Sequence, residues 1–446
     1  MESVVERLVA MGMSEDEAAR KAPKFAQAIE AVNDLDPGAR NDVSVFWIPG
    51  RIEFLGKHTD YAGGRSLLCA VERGVCMAAV PRRDRWFRVR DARSGETMEA
   101  RLDVEESPVP GHWSNYPITV ARRIARNFAL PLVGADVAFV SDLPIAAGMS
   151  SSSALVVGVF LALSDANDLS QRAEYRRNIH GREALAGYLG CVENGLTFGE
   201  LEADSGVGTF GGSEDHTAIL CGRADALVQY SFCPVRYERT VPLPTSLAFV
   251  IASSGIVAEK SAGALARYND VSRKAQSIAE RWCAATASSH TPLGDLVATP
   301  HGAVALRDWL EQEATHDASA DPLRERLEQF VIESTSIIPA AGDALERGDL
   351  ARLGEVVDES MRNATAMLHN QVPETIHLAA KARELGAHAA SAFGAGFGGS
   401  VWALVSSDQA ERIRLAWQAD YTAQFPEHAG RAEFFITRAG PAAGKL

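Results

Sequence analysis

Four consecutive serines, Ser150, Ser151, Ser152 and Ser153, lie in the stretch LPIAAGMSSSSA at 143–154, after a strand-like run and before an apolar helical one. That placement sets hydroxyls among the unpaired N–H groups of a helix N-terminus, where the positive end of the dipole suits phosphate. Serine hydroxyls can also ligate a magnesium ion. Taken alone, the run is equally a good N-cap followed by turn residues. A second stretch, FGAGFGGS at 393–400, contains GxGxxG. A dinucleotide fingerprint needs a strand before it and a helix after it. Here VWALV follows, short, β-branched and aromatic, so it reads as a strand and argues against hydride chemistry. A Gly-rich turn between two strands still lets backbone approach a ligand closely. No GxxxxGK[ST] occurs, which excludes a Walker-type loop. A third stretch, PGRIEFLGKHTDYAGG at 49–64, crowds Arg51, Lys57, His58 and Asp60 into a turn-rich segment. Such a density of donors and acceptors suits hydroxyl-rich ligands such as sugars.

The elements that must hold these loops follow from periodicity and breakers. Residues 1–40 read as a polar helical extension, with Ser14 as N-cap and Glu17 three residues on, and Pro37-Gly38 as a break. An apolar strand at 43–48 is expected to stop at Pro49-Gly50. Short strands continue to about 101, a helix covers 116–128, a strand 135–140, and an apolar helix 152–163. Strands resume at 226–232 and 248–252. The stretch 259–385 reads as mostly helical, and strand–loop–strand at 387–406 precedes a last helix and strand. The order is α+β rather than a regular βαβ alternation. A boundary near 242–244 divides the chain into lobes at 41–242 and 243–446.

Composition narrows the function classes. The chain has 446 residues, and 44 Lys+Arg against 58 Asp+Glu leave a net charge of −14. Without basic blocks such a chain repels phosphodiester backbones, so nucleic-acid binding is disfavoured. No apolar run reaches the roughly 20 residues that span a bilayer, and the N-terminus does not read as a secretory signal. Six scattered cysteines with no CxxC or metal spacing fit reduced, buried thiols of a cytoplasmic protein.

Together the three loops resemble the motifs of the GHMP sugar and metabolite kinases, and within them the galactokinases. Residues 49–64 are similar to the signature PGRxNxIGEHTDYxGG, residues 144–154 to PxxxGLSSSA, and residues 394–399 to GAGFGG. Further similarities are Trp113-Ser114-Asn115-Tyr116, Tyr268-Asn269, and Glu359-Ser360 followed by Pro373-Glu374. The resemblance implies a two-lobed α+β fold, with a ribosomal-protein-S5-like N-terminal lobe, a ferredoxin-like C-terminal lobe, and a cleft between them. It implies transfer of the ATP γ-phosphate to the anomeric hydroxyl of a sugar.

Residue by residue, the resemblance places Asp215, in the segment at 212–216 that matches part of CGIMDQ, as the group that accepts or orients the sugar proton. Arg51 would hold it ionised and offset charge on the phosphoryl group. Magnesium would sit on Ser152 and Glu193. Pro144, Gly148, Ser150, Ser151, Ser152, Ser153, Gly396 and Gly398 would bind ATP, with Trp113 packing on adenine. Lys57, His58, Asp60 and Tyr268 match sugar-binding positions. Two departures stand out: Lys57 replaces a glutamate, and Glu53 stands where asparagine is usual. A lysine there would attract an anionic substituent, so a uronic acid such as galacturonate is the alternative substrate. The same motifs would also suit a kinase of another alcohol, or a non-catalytic sensor that binds ATP and sugar. An insertion around 197–205 bears on the alignment of Glu193.

Overall fold

The computed structural model describes residues 3–36, 43–107, 111–144, 148–256, 262–315 and 321–446. Ser3 caps the first helix, α1 (Val4–Ala10), through a reciprocal box with Glu6. Ser14 takes the N-cap position of α2 (Glu15–Leu35), as its spacing predicts. Its hydroxyl makes no cap bond; its backbone N–H donates to Glu72 Oε1 at 2.6 Å instead. The helices bury Leu8, Met13 and Phe25 against Trp47 and Cys76. Ala28 and Val32 pack on Ala78, Val80, Ala138 and Val140. Lys21, 1% exposed, is neutralised by Glu17 at 2.9 Å and Asp142 at 2.6 Å. Within 1–40 the described residues, 3–36, hold these two helices; 1–2 and the Pro37-Gly38 break lie outside the described residues.

Behind these helices stand β1 (Ser44–Leu55), β2 (Arg65–Pro81), β3 (Trp86–Asp91) and β4 (Thr97–Arg101). Next come α3 (Asn115–Asn127), β5 (Ala135–Ser141), α4 (Ser151–Ala166), α5 (Ala173–Asn178), α6 (Arg182–Asn194) and α7 (Glu214–Cys221). A hairpin of β6 (Ala226–Ser231) and β7 (Arg236–Pro242) completes this half. The long β2 pairs with β1 along one edge; on the other it meets β5 at one end and β6 at the other. The first strand does not stop at Pro49-Gly50. It runs on to Leu55, because register shifts against β2 between Pro49 and Arg51, and again between Glu53 and Leu55, bend it without ending it. Those bulges aim Arg51 and Glu53. Against this sheet pack α4 and α7, backed by α3 and α6.

A second sheet follows, ordered β11 (Glu433–Thr437), β8 (Leu247–Ser253), β10 (Ser400–Ser406), β9 (Ala389–Phe393), all antiparallel. Between β8 and β9 run α8 (Ala262–Ala285), α9 (Leu293–Ala298), α10 (Gly302–Ala314), α11 (Asp321–Ile332), α12 (Ile338–Glu346), α13 (Leu350–Asn363) and α14 (Pro373–Glu384). Single π-turns at Glu333–Ile337 and Ala364–Leu368 interrupt this helical run. One sheet face is covered by α14 and α15 (Ala410–Gln424) through Leu378, Trp417 and Tyr421. The other joins the first core, with Phe54 stacked 4.1 Å from Trp402. The chain end crosses back: β12 (Gly444–Lys445) pairs with β1, so a single cut near 242–244 does not separate the two sheets.

Candidate functional site

The bulged β1 sends Arg51 into the space between the serine loop and α7. Its Nε donates to Asp215 Oδ1 at 2.7 Å, and its Nη1 donates to the Gly148 carbonyl. Burial works against the guanidinium charge, yet Asp215, Glu214 and Glu53 hold its pKa above the ordinary value. Asp215 stands in the first turn of α7, and Ser153 in the first turn of α4. Two helix N-termini thus converge on one spot, which favours anions. Ser153 Oγ donates to Glu193 Oε2 at 2.9 Å and lies 3.4 Å from Asp215 Oδ2. His216 Nε2 lies 3.1 Å from the same Glu193 oxygen.

The hydroxyl that reaches Glu193 is therefore that of Ser153, whereas the sequence pairs Glu193 with Ser152. The physical reason is helical rotation: about 100° per residue carries Ser152 off the face that meets α6 and leaves it half-buried. Ser151 is exposed, and Ser150 takes φ 58°, its buried Oγ without a hydrogen-bond partner among the described residues. Pro144 is buried at the loop's start; residues 145–147 lie outside the described residues. The segment 197–205 folds away onto α3, where Arg122 pairs with Asp204 at 2.9 Å and Asn127 donates to the Glu202 carbonyl at 3.1 Å. Val207 then returns to donate to the Glu193 carbonyl at 2.8 Å, so the insertion leaves Glu193 beside Ser153.

Asp60 closes the sugar-motif side. Its Oδ2 accepts the Glu214 N–H at 3.0 Å, and a Cβ at Gly212 would fall 2.3 Å from that oxygen, so only glycine fits. Burial raises its pKa to about 6, the Glu214 N–H opposing and Asp215 adding to the rise. His58, at φ 59°, has Nε2 3.1 Å from the Ala395 carbonyl and Nδ1 3.0 Å from the Tyr61 hydroxyl. A carbonyl only accepts, so Nε2 carries the hydrogen and Nδ1 receives the Tyr61 proton. Burial, with Arg326 nearby, lowers its pKa to about 3 and keeps it neutral. Tyr268 of α8 sets its ring 5.3 Å from His58, and burial followed by Asp60, Tyr61, Asp215 and Glu193 raises its hydroxyl pKa.

Lys57 behaves differently from its sequence reading. Only 2% exposed, its Nζ donates to Ser391 Oγ at 2.8 Å and Ser360 Oγ at 3.2 Å. The ammonium group is spent on hydroxyls of β9 and α13, and its placement lends no support to an anionic sugar.

The Gly-rich turn after β9 presses on the serine loop: a Cβ at Gly394 would lie 3.1 Å from the Gly148 carbonyl oxygen. Gly396 and Gly398 keep positive φ, and their missing side chains face Asn370 and Ile256 respectively. Trp113 sits at the start of α3, edge-on to Phe139 at 6.2 Å. Sequence reasoning missed Glu214, Ser66 and Glu333. Glu214 accepts from Ser66 Oγ at 2.6 Å. Glu333, in the first π-turn, accepts the Gly56 N–H at 3.1 Å and the Ser360 hydroxyl at 3.0 Å. Only Ser360 carried a sequence signal, through Glu359-Ser360.

Comparison with known proteins points to one family. The galactokinase galactose-binding signature matches residues 39–81, the GHMP kinases N terminal domain 115–187, and the GHMP kinases C terminal model 343–423. A galactokinase of Roseiflexus sp. (strain RS-1) is 31% identical over 404 residues, spanning 89% of this chain and 92% of that protein. A galactokinase of Chloroflexus aggregans is 29% identical over 84% of this chain and 86% of its own. Among solved structures, Lactococcus lactis galactokinase complexed with galactose superposes with TM-score 0.74 at 23% identity, over 94% of this chain and 98% of that one. Methanococcus jannaschii mevalonate kinase shares the fold at TM-score 0.55 and 12% identity, covering 90% and 99%. The chain belongs to the galactokinase branch of the GHMP kinases, and is a sugar kinase.

Proposed function

We propose that the protein transfers the γ-phosphate of ATP to the anomeric hydroxyl of a neutral sugar, galactose in the first instance. The observation that carries this reading is the 2.7 Å contact between Arg51 and Asp215 at the meeting of two helix N-termini. Asp215 accepts or orients the hydroxyl proton, because a carboxylate within hydrogen-bond reach is what that step requires. Arg51 holds Asp215 in place and offsets charge on the phosphoryl group. The phosphates lie on Gly148, Ser150, Ser151 and Ser152 and against the turn of Gly396 and Gly398, with Trp113 toward the base. A hydroxyl–carboxylate donor set suits a hard cation, so Glu193 with Ser152 or Ser153 holds magnesium. When bound, that ion neutralises phosphate charge. His58, Asp60 and Tyr268 line the sugar; His58, with both ring nitrogens engaged, orients rather than titrates.

No described helix is long and apolar enough to cross a membrane. A phosphate-transfer assay with magnesium-ATP against galactose, its amino derivatives and galacturonate tests the proposal. Galactose should exceed galacturonate in kcat/KM. Galacturonate as the best acceptor would reverse the reading of Lys57, and binding of ATP and sugar without turnover would make the chain a sensor.

A further inference from the structure

A nucleotide polyphosphate meets repulsion from a chain of net charge −14 unless cations stand near its seat. Three buried cations stand around the site, and each is already spent. Arg51 serves Asp215 and the Gly148 carbonyl, Lys57 serves Ser360 and Ser391, and Arg326 serves Gln329 and the carbonyls of His58 and Val271. Two exposed arginines of α8, Arg267 and Arg273, are held differently. The Arg267 guanidinium lies 4.7 Å from the ring centroid of Phe397, and that of Arg273 lies 5.9 Å from the ring centroid of Phe210. Among the described residues neither has a carboxylate partner; Asp270, three positions from each, pairs with Lys274 at 3.0 Å instead.

The place of Arg267 is fixed from two sides. Phe397 belongs to the Gly-rich turn, at φ 59°, and its N–H donates to the Asn370 carbonyl. Next along α8, Tyr268 sets its ring 5.3 Å from His58, whose Nε2 holds the Ala395 carbonyl at 3.1 Å. Ala395 and Phe397 flank Gly396, so two neighbouring residues of α8 bear on either side of that glycine. Asn269 ties the same helix to the loop before α7: its Oδ1 accepts the Phe210 N–H at 2.9 Å and its Nδ2 donates to the Gly208 carbonyl at 3.2 Å. An aromatic ring attracts the guanidinium charge yet leaves most of its N–H donors for an anion. A side chain ordered in advance also loses less rotamer freedom on binding.

We propose that Arg267 is the cation that binds the nucleotide polyphosphate at the Gly-rich turn. The inference deepens the kinase reading and rests on its placing the phosphates against Gly396 and Gly398. Arg273 has the same chemistry but sits over the loop before α7, away from that turn, and takes no part.

Calorimetric titration of AMP, ADP and ATP in magnesium buffer without sugar tests this on wild type, Arg267→Leu and Arg267→Lys. Leucine keeps an apolar contact with Phe397 and deletes the charge, at an exposed position where the fold should survive. Its loss of affinity should grow with the number of phosphates, from under about twofold for AMP to about tenfold or more for ATP. Lysine should recover much of the ATP affinity. The wild-type advantage over leucine should shrink as sodium chloride rises from about 50 to 300 mM. Arg273→Leu should bind ATP within about twofold of wild type. An equal loss for AMP and ATP would mean that Arg267 only shapes the turn, and would overturn the proposal. Unchanged ATP affinity in Arg267→Leu, or an equal loss in Arg273→Leu, would overturn it as well. A wild type that binds no ATP would sink the kinase reading and this inference together, whereas a kinase indifferent to Arg267→Leu sinks the inference alone.

Discussion

Arg51 and Asp215 meet where a dry side of the site becomes a wet one: the arginine side chain is 5% exposed and the aspartate 31%. The buried partner supplies a fixed charge, and the more open partner keeps its second oxygen, Oδ2, 3.4 Å from Ser153 Oγ in the first turn of α4. Such an arrangement costs little reorganisation when charge develops at the reacting atoms.

Replacing Asp215 with Asn keeps the shape and the Arg51 contact but removes the proton acceptor. Turnover should fall by roughly 10²–10⁴-fold, with nucleotide affinity nearly unchanged. Steady-state kinetics alongside calorimetric ATP titration check this; retained turnover would end the assignment.

Arg51→Lys should lose both activity and stability. An ammonium group cannot span Asp215 and the Gly148 carbonyl with the fixed fork of a guanidinium. Arg51→Ala would leave Asp215 without its cation, and because Asp215 is 31% exposed the loss should fall below the roughly 3–5 kcal/mol of a fully buried pair. Denaturant unfolding measures that loss, and a midpoint equal to wild type would contradict it.

The two candidate magnesium serines separate by substitution. Ser153→Ala deletes the 2.9 Å contact to Glu193, so the magnesium concentration for half-maximal rate should rise about tenfold or more. Ser152→Ala should act on the same quantity only if its hydroxyl touches the ion directly. Titrating magnesium at saturating ATP and sugar ranks them.

Stability should vary with pH in two opposing ways. The Glu53 carboxyl, raised from 4.5 to about 7, stabilises the fold fully below 4.5, and that contribution is lost as pH climbs towards 7. His58, lowered from 6.5 to about 3, contributes fully above 6.5 and loses that contribution as pH falls towards 3. Between 4.5 and 6.5 the slopes oppose. Calorimetric Tm should therefore climb more steeply with pH in Glu53→Gln than in wild type, and fall more steeply in His58→Gln.

The loops and their flanking elements were legible in the sequence because breakers, helix starts and periodicity are local signals. Ser14 as a helix start and the strand after the Gly-rich turn came from neighbours in the chain. What stayed hidden depends on long-range pairing. Pro49-Gly50 looks like a stop, yet opposite Gly74 and its neighbours on β2 it becomes a bulge. Lys57 reads as a charge waiting for a ligand; only the fold shows Ser360 and Ser391, some three hundred positions away, accepting its hydrogen bonds. Glu214 looks like an ordinary helix-start acid until the fold brings Ser66 of β2 to donate to it at 2.6 Å. The last strand returns to β1 from the opposite end of the chain, which no local pattern announces.

The Lys21–Asp142 ion pair has a practical consequence. Asp142 sits two residues ahead of Pro144, so the amino-terminal helices brace the root of the serine loop as well as shielding Trp47 and Cys76. Recombinant versions trimmed to the family's shared region would bare a greasy sheet face and strand a carboxylate at that root. A trimmed enzyme that keeps its solubility and shelf life should begin no later than Ser3.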